Sequence, residues 1–335
     1  MGIKISKTSL LVYAILAIAI TAAIISVFSL SDKESPGKGF VYDLKDFDKT
    51  DPALVRYSEA GTVNTGFQQV SALAVDHNDN TYVSGDRSIR IFGEKSMLSD
   101  IRLPDTPYCM AISADKAIYL GMKDHIEIYN MNGSLMARWD SIDQNAIITS
   151  IAISRDNDVF VADAGNRIVL RYDASGNPVT RISRKRPPGF IVPSPYFDLA
   201  ISSGNLISVV NPGLHRIETY TFDGDFVSSW GETSMGIKGF SGCCNPVNIA
   251  ILPDGKFVTA EKGIPRVKVY SARGVFESVV AGTEILSKGR KIYDSGDPEK
   301  YQTGGIDIAT DSQGRVLILE PYERVVKIFT ALSKF

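Results

Sequence analysis

Residues 248–270 read NIAILPDGKFVTAEKGIPRVKVY. An apolar segment centred on Ala250 runs into Asp254-Gly255, and a later apolar segment ends on Tyr270. Asp-Gly between apolar runs marks a tight hairpin, because both residues tolerate positive φ. The same plan recurs along the chain. Alanine-centred segments carry Ala74, Ala111, Ala152, Ala200, Ala250 and Ala309. Aromatic-ended segments close on Phe92, Tyr129, Tyr172, Tyr220, Tyr270 and Phe329. The interval from alanine to aromatic is 18, 18, 20, 20, 20 and 20 residues. Such spacing defines a repeat architecture.

Each unit divides into four short strands. Asn78-Asp79-Asn80, Ser203-Gly204-Asn205 and Gln313-Gly314 occupy the first turn, as Asp254-Gly255 does. Asn132-Gly133, Ser175-Gly176, Asp223-Gly224 and Arg273-Gly274 occupy the turn after the aromatic. Trp139, Ile182, Trp230 and Val280 each stand ten residues beyond their aromatic, a place suited to packing between neighbouring sheets. Four-stranded units at this spacing predict a β-propeller of six blades, all-β in class. Only six residues follow Phe329, too few for a normal fourth strand. An open ring would expose two sheet edges. The apolar segment around residues 53–58 is therefore expected to supply the outer strand of the last blade.

Upstream, residues 10–30 read LLVYAILAIAITAAIISVFSL without a charge. As a helix this run spans about 30 Å, the thickness of a bilayer core. Lys4 and Lys7 precede it, and Asp32, Lys33 and Glu34 follow. The expected layout is a cytoplasmic head at 1–9, a transmembrane signal anchor at 10–30, a linker at 31–52 and the propeller at 53–335. The positive-inside rule puts the propeller on the periplasmic or extracellular side of the cytoplasmic membrane. Cleavage as a signal peptide is the competing reading, although the run exceeds a usual h-region. Residues 1–6 also match a myristoylation pattern, which an adjacent spanning helix makes redundant.

The 335 residues carry 36 Lys+Arg and 38 Asp+Glu, a net charge of −2. That balance excludes a broad electrostatic nucleic-acid binder, so nucleic acid is not an expected partner. Three cysteines cannot staple a chain of this length.

The units resemble the NHL repeats of six-bladed propellers. Asp163-Ala164-Gly165-Asn166-Arg167-Ile168, His215-Arg216-Ile217 and Pro265-Arg266-Val267 carry the likeness over residues 53–335, with Arg87 and Arg324 in related places. The run Ser241-Gly242-Cys243-Cys244-Asn245-Pro246 looks like a membrane-anchored bacterial subgroup. The resemblance implies a fold rather than an activity, since the family holds scaffolds, ligand binders and a few enzymes.

Candidate chemistry gathers at the inner strand starts. Two residues before each anchoring alanine stand Ala72, Cys109, Ser150, Asp198, Asn248 and Asp307. Asp198, Asn248 and Asp307 resemble the oxygen ligands by which propeller lactonases hold Ca²⁺, although no Glu matches. The competing reading is that they cap strand starts. Cys243-Cys244 precedes one inner strand and Cys109 begins another, which leaves three readings open: free thiols, a vicinal disulfide, or a soft-metal or redox site. His77, His125 and His215 do not form a ligand set.

Two long loops, 181–195 and 284–305, are expected on the same face. They bring Arg184, Arg186, Tyr196 and Tyr301, with Asn245, Tyr108 and Phe197 nearby, as partner-contact candidates. The leading expectation is a non-catalytic protein- or ligand-binding scaffold with an envelope protein partner, within a redox complex in one version. The alternative is a metal-dependent hydrolase or lyase at the channel mouth.

Overall fold

The computed structural model describes residues 49–183, 189–287 and 306–333. The expected anchor at 10–30, Arg184, Arg186 and Tyr301 lie outside the described residues. No helix among the described residues is long and apolar enough to cross a membrane.

Among those residues, 24 strands form six antiparallel sheets of four. Blades one to five take residues 70–102, 109–138, 148–182, 199–230 and 248–281 in simple chain order. Their inner strands are Val70–Val75, Cys109–Ile112, Ile148–Ile153, Leu199–Ile201 and Asn248–Ile251. The sixth blade begins with Asp307–Thr310. Each inner strand lies against the next, and the sixth lies against the first, so the ring closes. The fold is a six-bladed β-propeller.

The repeat places the same residue in the same register. Ala74 pairs with Tyr82, Ala111 with Tyr119, Ala152 with Phe160 and Ala250 with Val258. A small side chain suits the crowded start of each blade. The first hairpin of every blade holds one residue at positive φ: Asp79, Lys116, Asn157, Asn205, Gly255 and Gly314. Burial falls outward. The second strand Phe257–Glu261 is buried throughout, whereas the outer strand Phe226–Trp230 is mostly exposed.

The core lies between blades. Blades one and two share Tyr82, Ile89 and Ile91 with Met110, Ile118 and Leu120. Blades five and six share Val258, Val267 and Val269 with Ile308, Val316 and Phe329. The apolar residue of the fourth strand fills this role where it was expected. Trp139 packs on Tyr119 of its own blade and Tyr172 of the next, at 5.9 and 5.1 Å between ring centroids. Trp230 lies 4.8 Å from Tyr270 and 5.2 Å from Phe257, both in the following blade.

The last blade is completed from the N-terminal side, but by a later segment than expected. Its outer strand is Tyr57–Asn64, antiparallel to Val325–Ala331, with Tyr57 opposite Ala331 and Asn64 opposite Val325. Residues 53–58 contribute only their end to it. Asp51 Oδ1 accepts from Ala53 N at 2.9 Å, and Pro52 starts the 3-10 turn Pro52–Leu54. Pro52 has no N–H to give a ladder, and its fixed φ suits the first helical position. Val55 then bridges to Val279 of blade five before the strand begins.

Candidate functional site

The inner strand starts surround one cavity of about 350 Å³ at the mouth of the central channel. Cys109, Ser150, Asp198, Asn248 and Asp307 all line it, beside Tyr108 and Tyr196. Ala72 does not. Ala72 is buried, 1% exposed, and its neighbour Ser71 stands on the wall for blade one. Phe197 lines the cavity but is a core residue rather than a rim aromatic, its ring centroid 5.1 Å from that of Phe190 at a tilt of 59°.

The polar ring stitches blades together. Neighbouring inner strands do not pair as ladders, so their facing backbone groups need other partners. Asp198 Oδ2 accepts from Ile249 N of the next blade at 2.7 Å, and its Oδ1 accepts from Leu199 N at 2.8 Å. Asp307 Oδ2 accepts from Leu73 N across the ring closure at 2.7 Å, and its Oδ1 accepts from Ile308 N at 2.9 Å. Asn248 Nδ2 donates to Ile306 O at 2.7 Å, and Thr149 Oγ1 donates to Phe197 O at 2.7 Å. The expectation that these residues cap strand starts therefore describes one of their roles.

Burial sets the charge of the ring. It pushes the Asp198 carboxyl up to about 6, against the pull of hydrogen bonds from Ser150, Ile249 and Leu199. Asp307 rises to about 7 through burial and then through the charge of Asp198. Cys109 is held as a neutral thiol by burial and by both carboxylates. Its Sγ sits against Gly121 of the adjoining strand, where a Cβ would collide with it. Among the described residues, no three His, Cys, Asp or Glu side chains are grouped to hold a metal ion. The three cysteines are among those residues, so Cys109 does not join Cys243 and Cys244 in a thiolate trio.

Cys243 and Cys244 are free thiols with sulfurs 3.3 Å apart, Cys243 exposed and Cys244 buried. They belong to the loop that enters blade five. Asn245 fixes this loop through three backbone groups: its Nδ2 donates to Ser241 O at 2.7 Å and Lys262 O at 2.9 Å, while its Oδ1 accepts from Lys262 N at 2.9 Å. His215 Nε2 donates to Gly242 O at 2.7 Å, and Thr233 Oγ1 lies 3.0 Å from His215 Nδ1. His215, whose presence the repeat pattern alone would explain, thus braces the cysteine loop. Burial opposes ionisation of Cys244, but hydrogen bonds from Ser194 and Cys243 and the charge of Lys262 outweigh it and lower its pKa. Cys243 is raised, chiefly by its hydrogen bond with Cys244 and then by burial.

Beneath the loop lies a buried ionic cluster. Glu261 meets Lys268 Nζ at 2.6 Å and Arg266 at 2.9 Å, all three side chains at most 3% exposed. Lys268 also donates to Gly239 O at 2.6 Å and Ile237 O at 3.1 Å. Burial lowers its ammonium to about 8. The lone Lys inside the apolar alternation VKVY was the available sign of this cluster. Lys262 and Ser194 gave no such sign, because they meet from loops 68 residues apart.

Neither protein-family models nor curated proteins match the chain. Solved structures do. A streptogramin B lyase superposes with a TM-score of 0.55 at 13% identity, covering 78% of this chain and 79% of that one. Virginiamycin B lyase from Staphylococcus aureus, as selenomethionine protein, gives 0.50 at 12% identity over 83% and 90%. A catalytically inactive His-to-Ala variant of that lyase with quinupristin gives 0.56 at 11% identity over 82% and 100%. At such identities the likeness is one of fold.

Proposed function

We propose that this chain is a binding propeller, tethered to the cytoplasmic membrane by residues 10–30, that receives a small organic cation at its channel mouth. NHL-type repeats and an envelope setting belong to the same proposal. One observation carries it: all six blades present a polar or sulfur-bearing residue from their inner strand starts to a single cavity, two of them carboxyls. A cavity of about 350 Å³ suits a small ligand. Every carboxylate oxygen of Asp198 and Asp307 already accepts one backbone hydrogen bond. The remaining lone pairs can take another donor, such as an ammonium. The test is calorimetric titration of the full-length chain with primary amines of increasing size, at pH 5 and pH 8. Binding tighter at pH 8, and lost in Asp198→Asn/Asp307→Asn, is expected. No saturable heat below about 1 mM amine sinks the reading. Calcium belongs in the same titration, because Asp198, Asn248 and Asp307 are the oxygen donors a hard cation would use.

A lyase-like activity is the second reading. It draws on the shared fold and on two carboxyls poised near neutral pH, where a general base works well. The cavity wall argues against a close copy of the known lyases. No histidine is among its described lining residues, whereas the inactive S. aureus variant lacks one. Chemical conversion of a bound amine in the titration mixture would favour this second reading.

A further inference from the structure

We propose that Cys243 and Cys244 form a thiol–disulfide exchange centre, in which exposed Cys243 captures an external disulfide and buried Cys244 resolves it. The inference stands apart from ligand binding in the channel.

The geometry divides the labour between the two sulfurs. Cys243 is open to solvent, while Cys244 is 5% exposed. An incoming disulfide reaches the first and not the second. The sulfurs lie 3.3 Å apart, so the second is already beside the atom it must attack. Lys262 is aimed from the neighbouring turn of blade five. Its Nζ donates to Ser194 Oγ at 2.9 Å and sits 4.4 Å from the Tyr196 ring centroid. The Ser194 hydroxyl and the Lys262 ammonium both favour ionisation of Cys244, against its burial. The loop is braced by Asn245, by His215 and by Glu261, whose Oε2 accepts from Ser241 N at 3.1 Å. A passive surface thiol pair would need none of this.

The exchange balances. Cys243 S–H, hydrogen-bonded to the Cys244 thiolate, passes its proton to Cys244 as its sulfur attacks an external R–S–S–R. The external bond breaks, Cys243–S–S–R forms, and RS⁻ leaves. Cys244 then returns the proton to RS⁻, which departs as RSH. The regenerated thiolate attacks the Cys243 sulfur, the mixed disulfide breaks, and a second RS⁻ leaves. Two cysteine sulfurs are oxidised to a vicinal disulfide and one external disulfide is reduced. Resolution by a thiolate is the step that Lys262 and Ser194 assist. They are positioning residues.

The experiment uses the full-length chain, reduced, desalted and mixed with glutathione and glutathione disulfide at graded ratios. Acid quenching, alkylation and peptide mass spectrometry then read each cysteine. The wild-type chain is expected to lose two hydrogens within the Cys243-Cys244 peptide, while Cys109 remains a thiol. Cys244→Ser should accumulate one glutathione on Cys243. Cys243→Ser should react at least about 10-fold more slowly, since the remaining thiol is buried. Lys262→Met should raise the pH at which resolution is half-maximal, and Lys262→Arg should restore it. The near-ultraviolet signal of Trp230, packed 6.2 Å from Phe240 of the same loop, reports that the loop stays docked in each variant. The proposal is overturned if the docked wild-type chain stops at a glutathione adduct in pure glutathione disulfide, or if neither thiol reacts. Resistance to oxidation caused by a tightly held zinc or copper ion would likewise overturn it, in favour of a metal site.

Discussion

Asp307 serves structure and charge at once. Its two oxygens receive backbone N–H groups from both sides of the ring closure, yet burial and Asp198 raise its pKa to about 7. The folded chain therefore holds protons that the unfolded chain has released above 3.8. Stability from the two carboxyls is fully present below that unfolded value and is lost as pH rises through about 6 for Asp198 and about 7 for Asp307. Each tenfold change in a carboxyl's proton affinity on folding corresponds to about 1.4 kcal/mol, less where the cavity admits water. Urea unfolding of the wild type should thus weaken between pH 5 and pH 8 by about 2–4 kcal/mol. Asp198 keeps its proton only to about 6 and Asp307 to about 7, so Asp307→Asn should remove about two thirds of that difference. Its lost strap lowers stability at both pH values alike, so the slope isolates the titration. The ring residues were legible because the repeat fixes their register: counting two back from each alanine found Cys109, Ser150, Asp198, Asn248 and Asp307. Ser194 and Lys262 were not, because no period relates two loops that meet only through folding.

Hairpins and fourth strands lock adjacent blades. Gly176 and Gly274 follow the aromatic of their blades at φ 85° and 78°, and a Cβ on either would strike Trp139 or Trp230 of the preceding blade. These glycines answer two demands, a left-handed turn and room for an indole. Gly255 answers only the first, at φ 84° with open space around it. Gly255→Ala should therefore cost about 1 kcal/mol, the penalty of a side chain in the left-handed region. Gly274→Ala should cost about 2–4 kcal/mol, since overpacking adds to it. The two denaturant midpoints, compared at equal slope, measure the interblade contact. Equal losses would deny it. The hairpins and the packing place of Trp139 and Trp230 were readable from spacing. The start of the closing strand was not. Apolar Leu54 and Val55 suggested a strand, whereas the Asp51 cap and Pro52 set a turn that delays it to Tyr57.

At the scale of the molecule, the propeller is a ring whose two ends share one sheet. Six near-equal intervals made the blade number readable. Closure from the N-terminal side pairs the edge of the last blade, which would otherwise invite association. The observed bond is broad: Tyr57 to Asn64 runs opposite Ala331 to Val325, interrupted by a bulge between Glu59 and Gly61. Leu332 N also donates to Arg56 O at 2.8 Å. The interblade cores depend on this one join, since each blade buries its apolar faces only against its neighbours. Val63→Pro tests it at a single residue. Val63 faces Val326 in the ladder, two residues before Thr65, whose N–H donates to Arg324 O in the same register, so proline there removes a ladder donor. A loss of about 3 kcal/mol or more is expected, with a melting temperature lower by at least several degrees. The same proline at Glu94, in the hairpin before the outer strand of blade one, should cost less than about 1 kcal/mol, because that turn closes no ring. Light scattering during the melt adds the second readout. Val63→Pro should associate as it unfolds from its open edge, at a lower temperature than the hairpin variant. If both variants melt together, the join does not govern the ring, and the blades hold one another without it.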